Sequence, residues 1–190
     1  MELIEALKKR RTVRKFKRRD VDPEKLKKLV DWARLAPSGM NRQPLSFLLV
    51  DEEALERKIF ANSGWGGNVE WNPTEEERPP AYIVILIESD MDDWVARYDV
   101  GLAAENICLG ALEYGLATCL LGSIDEDRLR DLFSIPEDKK VGLTVAVGYP
   151  DQEAFTEPLE GDSTGYWLDE DLNFHVPKRD LEEILYINGF

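Results

Sequence analysis

The chain has 190 residues, 43% of them hydrophobic, and a formal net charge of −14 at pH 7. This length suits one domain over residues 1–190, with a core in 1–150 and an extended C-terminal arm in 151–190, and the hydrophobic content excludes intrinsic disorder. Because the negative charge repels polyanions, we expect neither nucleic acid nor an anionic membrane as a partner.

The longest uninterrupted apolar run, AYIVILI at residues 81–87, is far shorter than the roughly 20 residues that a membrane-spanning helix needs. The first residues, MELIEALKKRR, lack the apolar stretch of a secretory signal. Cys108 and Cys119 fall in a predicted buried helix and in the strand after it, where cysteine is a small core residue rather than half of a disulfide. We therefore predict a cytoplasmic protein.

Hydrophobic spacing predicts the elements of the first half of the chain. Leu3, Ile4 and Leu7 indicate a helix over residues 2–9 with a basic last turn. Asp22 followed by Pro23 marks the start of a second helix that runs to about residue 36. The predicted elements that follow are a loop PSGMNRQP at 37–44, a strand at 46–50, a helix at 52–61 and a long loop at 62–80.

The second half contains the predicted centre of the fold. Residues 82–88 are almost continuously apolar, which is typical of a central strand covered on both faces. Residues 93–115 are apolar on most sides and predict a central helix. A strand at 117–121, a helix at 125–133 and a strand at 140–147 follow. After Pro150 no periodicity returns until a helix at 180–186, so we expect this tail to wrap the body or a partner subunit.

Charge is distributed unevenly along the chain. The first 19 residues hold nine of its 24 Lys and Arg against two acidic residues, whereas the other 171 residues carry about −21. Within this basic segment the string RRTVRKF sets Arg10, Arg11 and Arg14 around Thr12. Guanidinium groups are planar, permanently charged and matched to phosphate oxygens. The spacing therefore predicts a site for a phosphate monoester.

Two alternatives stay open at this point. The basic segment also fits a solvated arm or a nucleic-acid tail, although Val13 and Phe16 interrupt its charges as apolar anchors. The loop at 37–44 also fits an ordinary helix stop. Its amide, hydroxyl and glycine positions nevertheless suit the polar edge of a planar heterocycle; they are Ser38, Gly39, Asn41 and Gln43.

Five motifs in this order resemble the nitroreductase-like family of FMN-dependent oxidoreductases: RRTVRKF, APSGMNRQP, the helix DVGLAAENICLGALEYGLATCLLGSID, VGYP and PKRDLEEILYING. They cover most of residues 1–150 and the last fifteen residues. The resemblance implies an α+β fold with a central, mostly antiparallel sheet flanked by helices. It also implies an intertwined homodimer that exchanges C-terminal tails and binds FMN at the subunit interface.

The same resemblance implies which residues hold the flavin. The phosphate, ribityl chain and pyrimidine edge are expected to meet Arg10, Arg11, Thr12 and Arg14, with Lys178 and Arg179 completing the phosphate site. The other subunit is expected to contribute Pro37, Ser38, Gly39 and Asn41. Backbone N–H groups near flavin N5 and O4 are expected from Leu121 and Gly122. Asn68 and Asn72 are further candidates for the pyrimidine that depart from the family spacing.

The implied chemistry is a ping-pong reaction. NADH or NADPH delivers hydride to flavin N5 and leaves, and a nitroaromatic, quinone or related acceptor takes its place. Because the flavin does the electronic work, no certain catalytic side chain is demanded. Arg14 is expected to stabilise the negative charge that develops at N1 and O2 on reduction. No metal is expected, since one His and two Cys eleven positions apart do not furnish a zinc site.

Other functions remain open on the sequence. They are an FMN-binding relative without turnover, a flavin-fragmenting or dehalogenating relative, and a nucleic-acid-binding module. GDSTG at 161–165, followed by Asp169 and His175, matches a serine hydrolase motif but lacks the flanking strand and helix. The resemblance weakens at 62–80 and in the acidic stretch 151–176. We expect these segments to frame the pocket, and the acidic rim to favour NADH and neutral acceptors.

Overall fold

The computed structural model describes residues 1–67, 69–91 and 94–190. Every helix and strand expected in the first 150 residues is present, and α2 ends three residues earlier than expected. The elements are α1 (Leu3–Lys9), α2 (Pro23–Ala33), β1 (Leu45–Val50), α3 (Glu53–Ala61), β2 (Ala81–Glu88), α4 (Trp94–Glu113), β3 (Ala117–Leu121), α5 (Glu126–Phe133), β4 (Lys139–Gly148), β5 (Ala154–Pro158), β6 (Trp167–Leu168), β7 (Phe174–Lys178) and α6 (Leu181–Ile184).

The main sheet has four strands in the order β1-β2-β4-β3, and each neighbouring pair is antiparallel. Ile83 lies opposite Val145 in the central pair, and Cys119 lies opposite Ala146 at the β3 edge. Helices cover the sheet, so the predicted α+β architecture with a mostly antiparallel sheet is confirmed. Among the described helices, none combines the length and apolar character of a membrane span.

Strand β2 divides the hydrophobic core into two clusters. Successive side chains of a strand point to opposite faces, so a strand that is apolar throughout needs cover on both. Ile83, Ile85 and Ile87 pack with α2 and α4 on one face. Tyr82 and Val84 pack with α3, α5 and the basic segment on the other. The prediction of a central strand covered on both faces is confirmed.

The basic segment is built into the body. The N–H of Val13 donates to the Thr118 carbonyl at 3.0 Å, and the N–H of Phe16 donates to the Glu77 carbonyl at 2.9 Å. Both side chains are buried in the second core cluster. The segment is thus fixed beside β3, and the alternative of a freely solvated arm is wrong.

The tail after Pro150 forms three strands that the sequence did not predict. They make a second sheet in the order β5-β7-β6, with β5 parallel and β6 antiparallel to β7. These strands span only five, two and five residues, and Pro177 interrupts β7, so their alternation is too short to recognise. Helix α6 covers only residues 181–184, whereas residues 180–186 were expected.

The two cysteines are core residues, as predicted. Cys108 on α4 and Cys119 on β3 are both buried and free. Burial raises the pKa of Cys108 to about 11 and the pKa of Cys119 to about 12. Both thiols therefore stay protonated and unreactive near neutral pH.

A buried ion pair fixes the long loop at 62–80 to α3. Arg78 and Glu56 are 1% and 2% exposed, and the Arg78 Nε donates to Glu56 Oε1 at 3.3 Å. Glu56 Oε1 also accepts from Arg18 Nη2 at 2.7 Å. A second nitrogen of Arg78 donates to the backbone carbonyl of Glu75 at 2.7 Å. Because these charges are out of water, removing either partner leaves the other poorly solvated.

We predict that Glu56→Met lowers the free energy of unfolding by about 3–5 kcal/mol, because it leaves Arg78 as a buried charge without its buried partner. Denaturant unfolding followed by circular dichroism measures this loss. The matched control is Glu53→Met, since Glu53 contacts the same guanidinium at 2.9 Å from an exposed position. Equal losses for the two variants would contradict the assignment of stability to the buried pair.

Candidate functional site

A cavity of about 120 Å³ lies where the basic segment meets the C-terminal arm. Four of the residues around it are cationic and none is acidic, although the chain as a whole is strongly acidic. Its walls are Arg10, Arg11, Thr12, Arg14, Tyr166, Phe174, Val176 and Lys178. This concentration of positive charge suits a small anion.

Arg10 and Arg11 are only partly neutralised by the protein. Arg10 Nε lies 3.1 Å from Glu105 Oε1. The Arg11 guanidinium donates to the Arg10 carbonyl and to the Thr156 hydroxyl, while its Nε is buried and bonds to no described residue. Burial, and then the charge of Arg10, lower the pKa of Arg11. An anion in the cavity would offset both the desolvation and the repulsion.

Arg14 is held by the arm. Its Nη2 donates to the Tyr166 hydroxyl at 3.1 Å, and its guanidinium carbon lies 4.9 Å and 4.7 Å from the ring centroids of Tyr166 and Phe174. Its backbone N–H donates to Gln152 Oε1 at 3.2 Å. The sequence missed Gln152 and Phe174 as neighbours of Arg14.

The tail contributes one of its two predicted cations to this cavity. Lys178 lines the cavity from the end of β7, whereas Arg179 is exposed and is not one of the lining residues. Thr12 lies beside Thr118, with which it forms an isolated bridge to the main sheet. Five of the six residues predicted for the phosphate region therefore meet at one cavity.

The second predicted half of the site is the loop between α2 and β1. Three of its residues other than glycine have left-handed backbones, with φ of 53° at Met40, 55° at Asn41 and 51° at Gln43. Each costs about 1–3 kcal/mol and needs support from its surroundings. Ser38 supplies part of it, since its Oγ accepts from the Gln43 N–H at 3.0 Å. Gly39 itself is not among the left-handed positions of this loop.

Gly39 is required because the loop comes close to α4. A Cβ at this position would lie 2.3 Å from Val95 Cγ1. The Gly39 N–H donates to Asp99 Oδ1 at 3.0 Å, and Asp99 is only 3% exposed. Asp99 Oδ2 is buried and accepts no hydrogen bond from a described residue. The sequence missed Asp99, although an acidic side chain within an apolar helix was a usable signal.

The remaining predicted positions lie outside the cationic cavity. Pro37 and Ser38 line a separate cavity of about 170 Å³ together with Asp99, and the two cavities share no lining residue. Leu121 places its side chain in the second core cluster, and the glycine after it is exposed. Asn41 and Asn72 are exposed as well, and Asn68 is outside the described residues. One chain therefore presents the predicted flavin residues as two separate groups.

Comparison with known proteins identifies the family. Residues 7–149 match the model of the Nitroreductase family. The chain belongs to this family. It is 31% identical over 167 residues to the "Putative NADH dehydrogenase/NAD(P)H nitroreductase" of Methanothermobacter thermautotrophicus, covering 84% of this chain and 83% of that protein. The resemblance drawn from the sequence is confirmed.

Two other relatives differ in their named activities. The iodotyrosine deiodinase of Thermotoga neapolitana is 30% identical over 168 residues, which covers 78% of this chain and 89% of that protein. The structure of an FMN-dependent nitroreductase from Clostridium difficile R20291 has a TM-score of 0.68 at 26% identity and covers 98% of this chain and 99% of that one. The nitroreductase fold thus extends into the arm.

The hydrolase motif does not form a nucleophile and base in this chain. His175 Nδ1 lies 2.6 Å from Glu157 Oε1, and its Nε2 lies 3.4 Å from Asp169 Oδ2. The imidazole stacks on Trp167, with ring centroids 5.3 Å apart. The Ser163 hydroxyl instead accepts from the Gly165 N–H at 3.4 Å. His175 therefore joins the strands of the second sheet.

We predict that the second sheet is more stable at mildly acidic than at basic pH. The hydrogen bond to Glu157, and then the one to Asp169, raise the pKa of His175 against the opposing effect of burial. The folded arm therefore favours the protonated imidazole. This stabilisation is complete below the ordinary histidine pKa of 6.5 and is lost as the pH rises through the raised value.

Hydrogen exchange of β7 amides, corrected for intrinsic rates, measures this effect between about pH 5.5 and about pH 9. His175→Gln keeps a polar side chain and removes the titration, so it is the matched control. We expect protection to fall with rising pH in the native chain and to stay level in the variant. Parallel profiles for the two proteins would contradict the role of His175.

Proposed function

We propose that this chain is an FMN-dependent oxidoreductase that takes electrons from NADH or NADPH and passes them to a nitroaromatic, quinone or related acceptor in a ping-pong sequence. The observation that carries this proposal is the cavity formed by Arg10, Arg11, Arg14 and Lys178. It is lined by four cations and no acid in a chain of net charge −14. The buried Arg11 Nε, which has no partner among the described residues, supports an anionic occupant.

The residues present fit FMN in separate roles. Arg10, Arg11 and Lys178 would bind its phosphate through charge-assisted hydrogen bonds, and Thr12 adds a hydroxyl. When bound, FMN supplies the capacity to accept and donate hydride. Arg14 would place a fixed positive charge where the flavin becomes negative, and the loop at 37–44 would present polar groups to its ring. Leu121 and Gly122 would contribute backbone N–H groups, and Arg179 would approach the phosphate from the exposed tail.

A homodimer completes the site in this proposal. The cationic cavity belongs to a segment that packs on the β2 face covered by α3 and α5, whereas the loop at 37–44 is bonded to α4 on the opposite face. The two groups of one chain therefore do not meet within that chain. We propose that each flavin lies between the cavity of one subunit and the loop of its partner.

Exposed apolar surface supports this association. Helix α4 is largely apolar and leaves Trp94, Tyr98 and Leu102 exposed along one side, next to the exposed Arg97. Every residue from 178 to 190 is exposed, and this tail carries a second group of large apolar side chains. They are Leu181, Ile184, Leu185, Tyr186, Ile187 and Phe190. We propose that the tails exchange between subunits, which would cover this surface.

Dehalogenation is the second candidate activity, because the deiodinase relative is as similar to this chain as the nitroreductase relative. The acidic arm favours neutral acceptors and NADH, since its carboxylates repel the additional phosphate of NADPH. The buried, free cysteines support a cytoplasmic setting. Steady-state rates with NADH and NADPH, together with iodide release from an iodinated tyrosine, separate these possibilities.

We predict that Arg14→Ala weakens FMN binding by about one to two orders of magnitude, because one charge-assisted contact contributes about 1.5–3 kcal/mol. It should also lower the flavin reduction potential. Fluorescence titration and potentiometry measure these two effects, and oxidation of NADH with a quinone acceptor measures turnover. Arg19→Ala is the control. The Arg19 guanidinium carbon lies 4.1 Å from the ring centroid of Tyr149, and Arg19 does not line the cavity. A folded native chain that binds no FMN would exclude the proposed function.

We predict that the native chain sediments at twice its mass of 21.7 kDa and that Leu102→Glu produces a monomer with strongly reduced FMN affinity. A buried, unpaired carboxylate at the proposed interface opposes association, and the monomer lacks half of each site. Analytical ultracentrifugation with fluorescence titration provides both measurements. Lys27→Glu introduces the same carboxylate, with a larger change of net charge, on the exposed side of α2 and should stay dimeric. A native monomer that binds FMN tightly would contradict the shared site.

A further inference from the structure

The two segments in which the family resemblance weakens, 62–80 and 151–176, meet beside Arg14. From the arm come Tyr166 and Phe174, whose ring centroids lie 5.4 Å apart with an interplanar angle of 77°. Trp71, in the loop at 62–80, makes an edge contact with Phe174, and their ring centroids lie 6.2 Å apart. Gly67 of the same loop lies against the Tyr166 hydroxyl. We name the residues Trp71, Tyr166 and Phe174 the aromatic clamp.

We propose that Tyr166 is a positioning residue that fixes the Arg14 guanidinium and thereby tunes the affinity and reduction potential of bound FMN. This inference rests on the proposed function, because it needs FMN beside Arg14. It assigns a role to the arm that goes beyond covering the pocket. Tyr166 acts through Arg14 and is not a catalytic residue.

The clamp contacts Arg14 in two chemically different ways. The Tyr166 hydroxyl accepts a hydrogen bond from Nη2 at 3.1 Å, which fixes the direction of one N–H. The faces of Tyr166 and Phe174 attract the cation through their ring quadrupoles. Neither contact neutralises the guanidinium, in contrast to the carboxylate that pairs with Arg10. The positive charge of Arg14 is therefore not offset by these partners, while the side chain loses rotational freedom.

The clamp is itself rigid. Phe174 is 1% exposed and opens β7, where it lies opposite Leu168 of β6 and Ala154 of β5. Gln152 links the C-terminal arm to the backbone of Arg14, because its Oε1 accepts from the Arg14 N–H and its Nε2 donates to the Leu172 carbonyl. A fixed charge stabilises developing negative charge more than a mobile one, since no reorganisation is needed at the moment of reduction.

A structural role for Tyr166 makes a different prediction. If Tyr166 only packs the arm against the body, its loss lowers the stability of the fold and changes FMN affinity equally with or without Arg14. If Tyr166 acts through Arg14, its loss has no further effect once the guanidinium is gone. A double-mutant cycle distinguishes these cases.

The first experiment measures FMN affinity and midpoint potential in the native dimer, in Tyr166→Phe, in Arg14→Ala and in the double variant. Tyr166→Phe keeps the ring and removes the hydroxyl. We expect this substitution to weaken the binding of reduced FMN about ten times more than the binding of oxidised FMN. For a two-electron couple, this difference lowers the midpoint potential by about 30 mV. In the Arg14→Ala background the same substitution should leave both quantities unchanged.

The second experiment displaces Tyr166 without changing its chemistry. A Cβ at Gly67 would lie 1.8 Å from the Tyr166 hydroxyl oxygen, so Gly67→Ala forces that hydroxyl to move. The matched control is Gly66→Ala, whose Cβ would make only an ordinary contact of 3.7 Å with Asn72 Oδ1. We expect Gly67→Ala to lower the midpoint potential in the same direction as Tyr166→Phe, and Gly66→Ala to match the native protein.

The outcomes separate this inference from the function on which it rests. A native dimer that binds no FMN overturns both. Native FMN binding that depends on Arg14 but is unchanged in Tyr166→Phe overturns the role of Tyr166 alone. Equal effects of Tyr166→Phe in the native and Arg14→Ala backgrounds also overturn it, because Tyr166 then acts independently of Arg14.

Discussion

The attachment of the basic segment to the main sheet is the constraint on which the rest of the structure depends. Arg10, Arg11 and Arg14 repel one another, and an unattached segment would separate these charges in solvent. Burial of Val13 and Phe16 prevents this, together with the backbone hydrogen bonds to Thr118 and Glu77. The fold therefore stabilises a concentration of positive charge that the segment would not maintain alone. An anion of matching size gains from charges that are already in place.

The same sheet explains why the proposed site needs two subunits. Strand β2 is buried on both faces, so an element packed on one face is separated from elements on the other by the sheet itself. The basic segment belongs to one cluster and the loop at 37–44 is bonded to α4, which belongs to the other. The basic segment also reaches α4 through the ion pair between Arg10 and Glu105, but its cavity shares no lining residue with the cavity beside the loop. In the proposed dimer, a partner subunit would supply the second group without disturbing either core.

The sequence predicted the fold best where a run of many residues shows the same pattern of burial. The continuous apolar pattern of β2 and the small residues of α4 reflect burial over many positions, and both elements appear where expected. It predicted less in the arm, because β5 to β7 are short and depend on contacts with distant residues such as Trp71. For the site, the spacing of Arg10, Arg11 and Arg14 identified one cavity. Phe174 and Gln152 were missed because their roles arise only from tertiary contacts, whereas Asp99 was missed despite the signal of an acid within an apolar helix.

In the proposed dimer, the loop at 37–44 would link the subunit contact to the flavin. Its left-handed residues are strained, and contacts with α4 stabilise this conformation. Gly39 packs against Val95, and the Gly39 N–H donates to Asp99. Along the same helix, Trp94 and Tyr98 precede these residues by one position and point to the exposed side. A rotation of about 100° about the helix axis separates the two rows. In the proposed dimer, any shift of α4 at the interface therefore moves the support of the flavin loop, so subunit association and cofactor binding are coupled through one rigid helix.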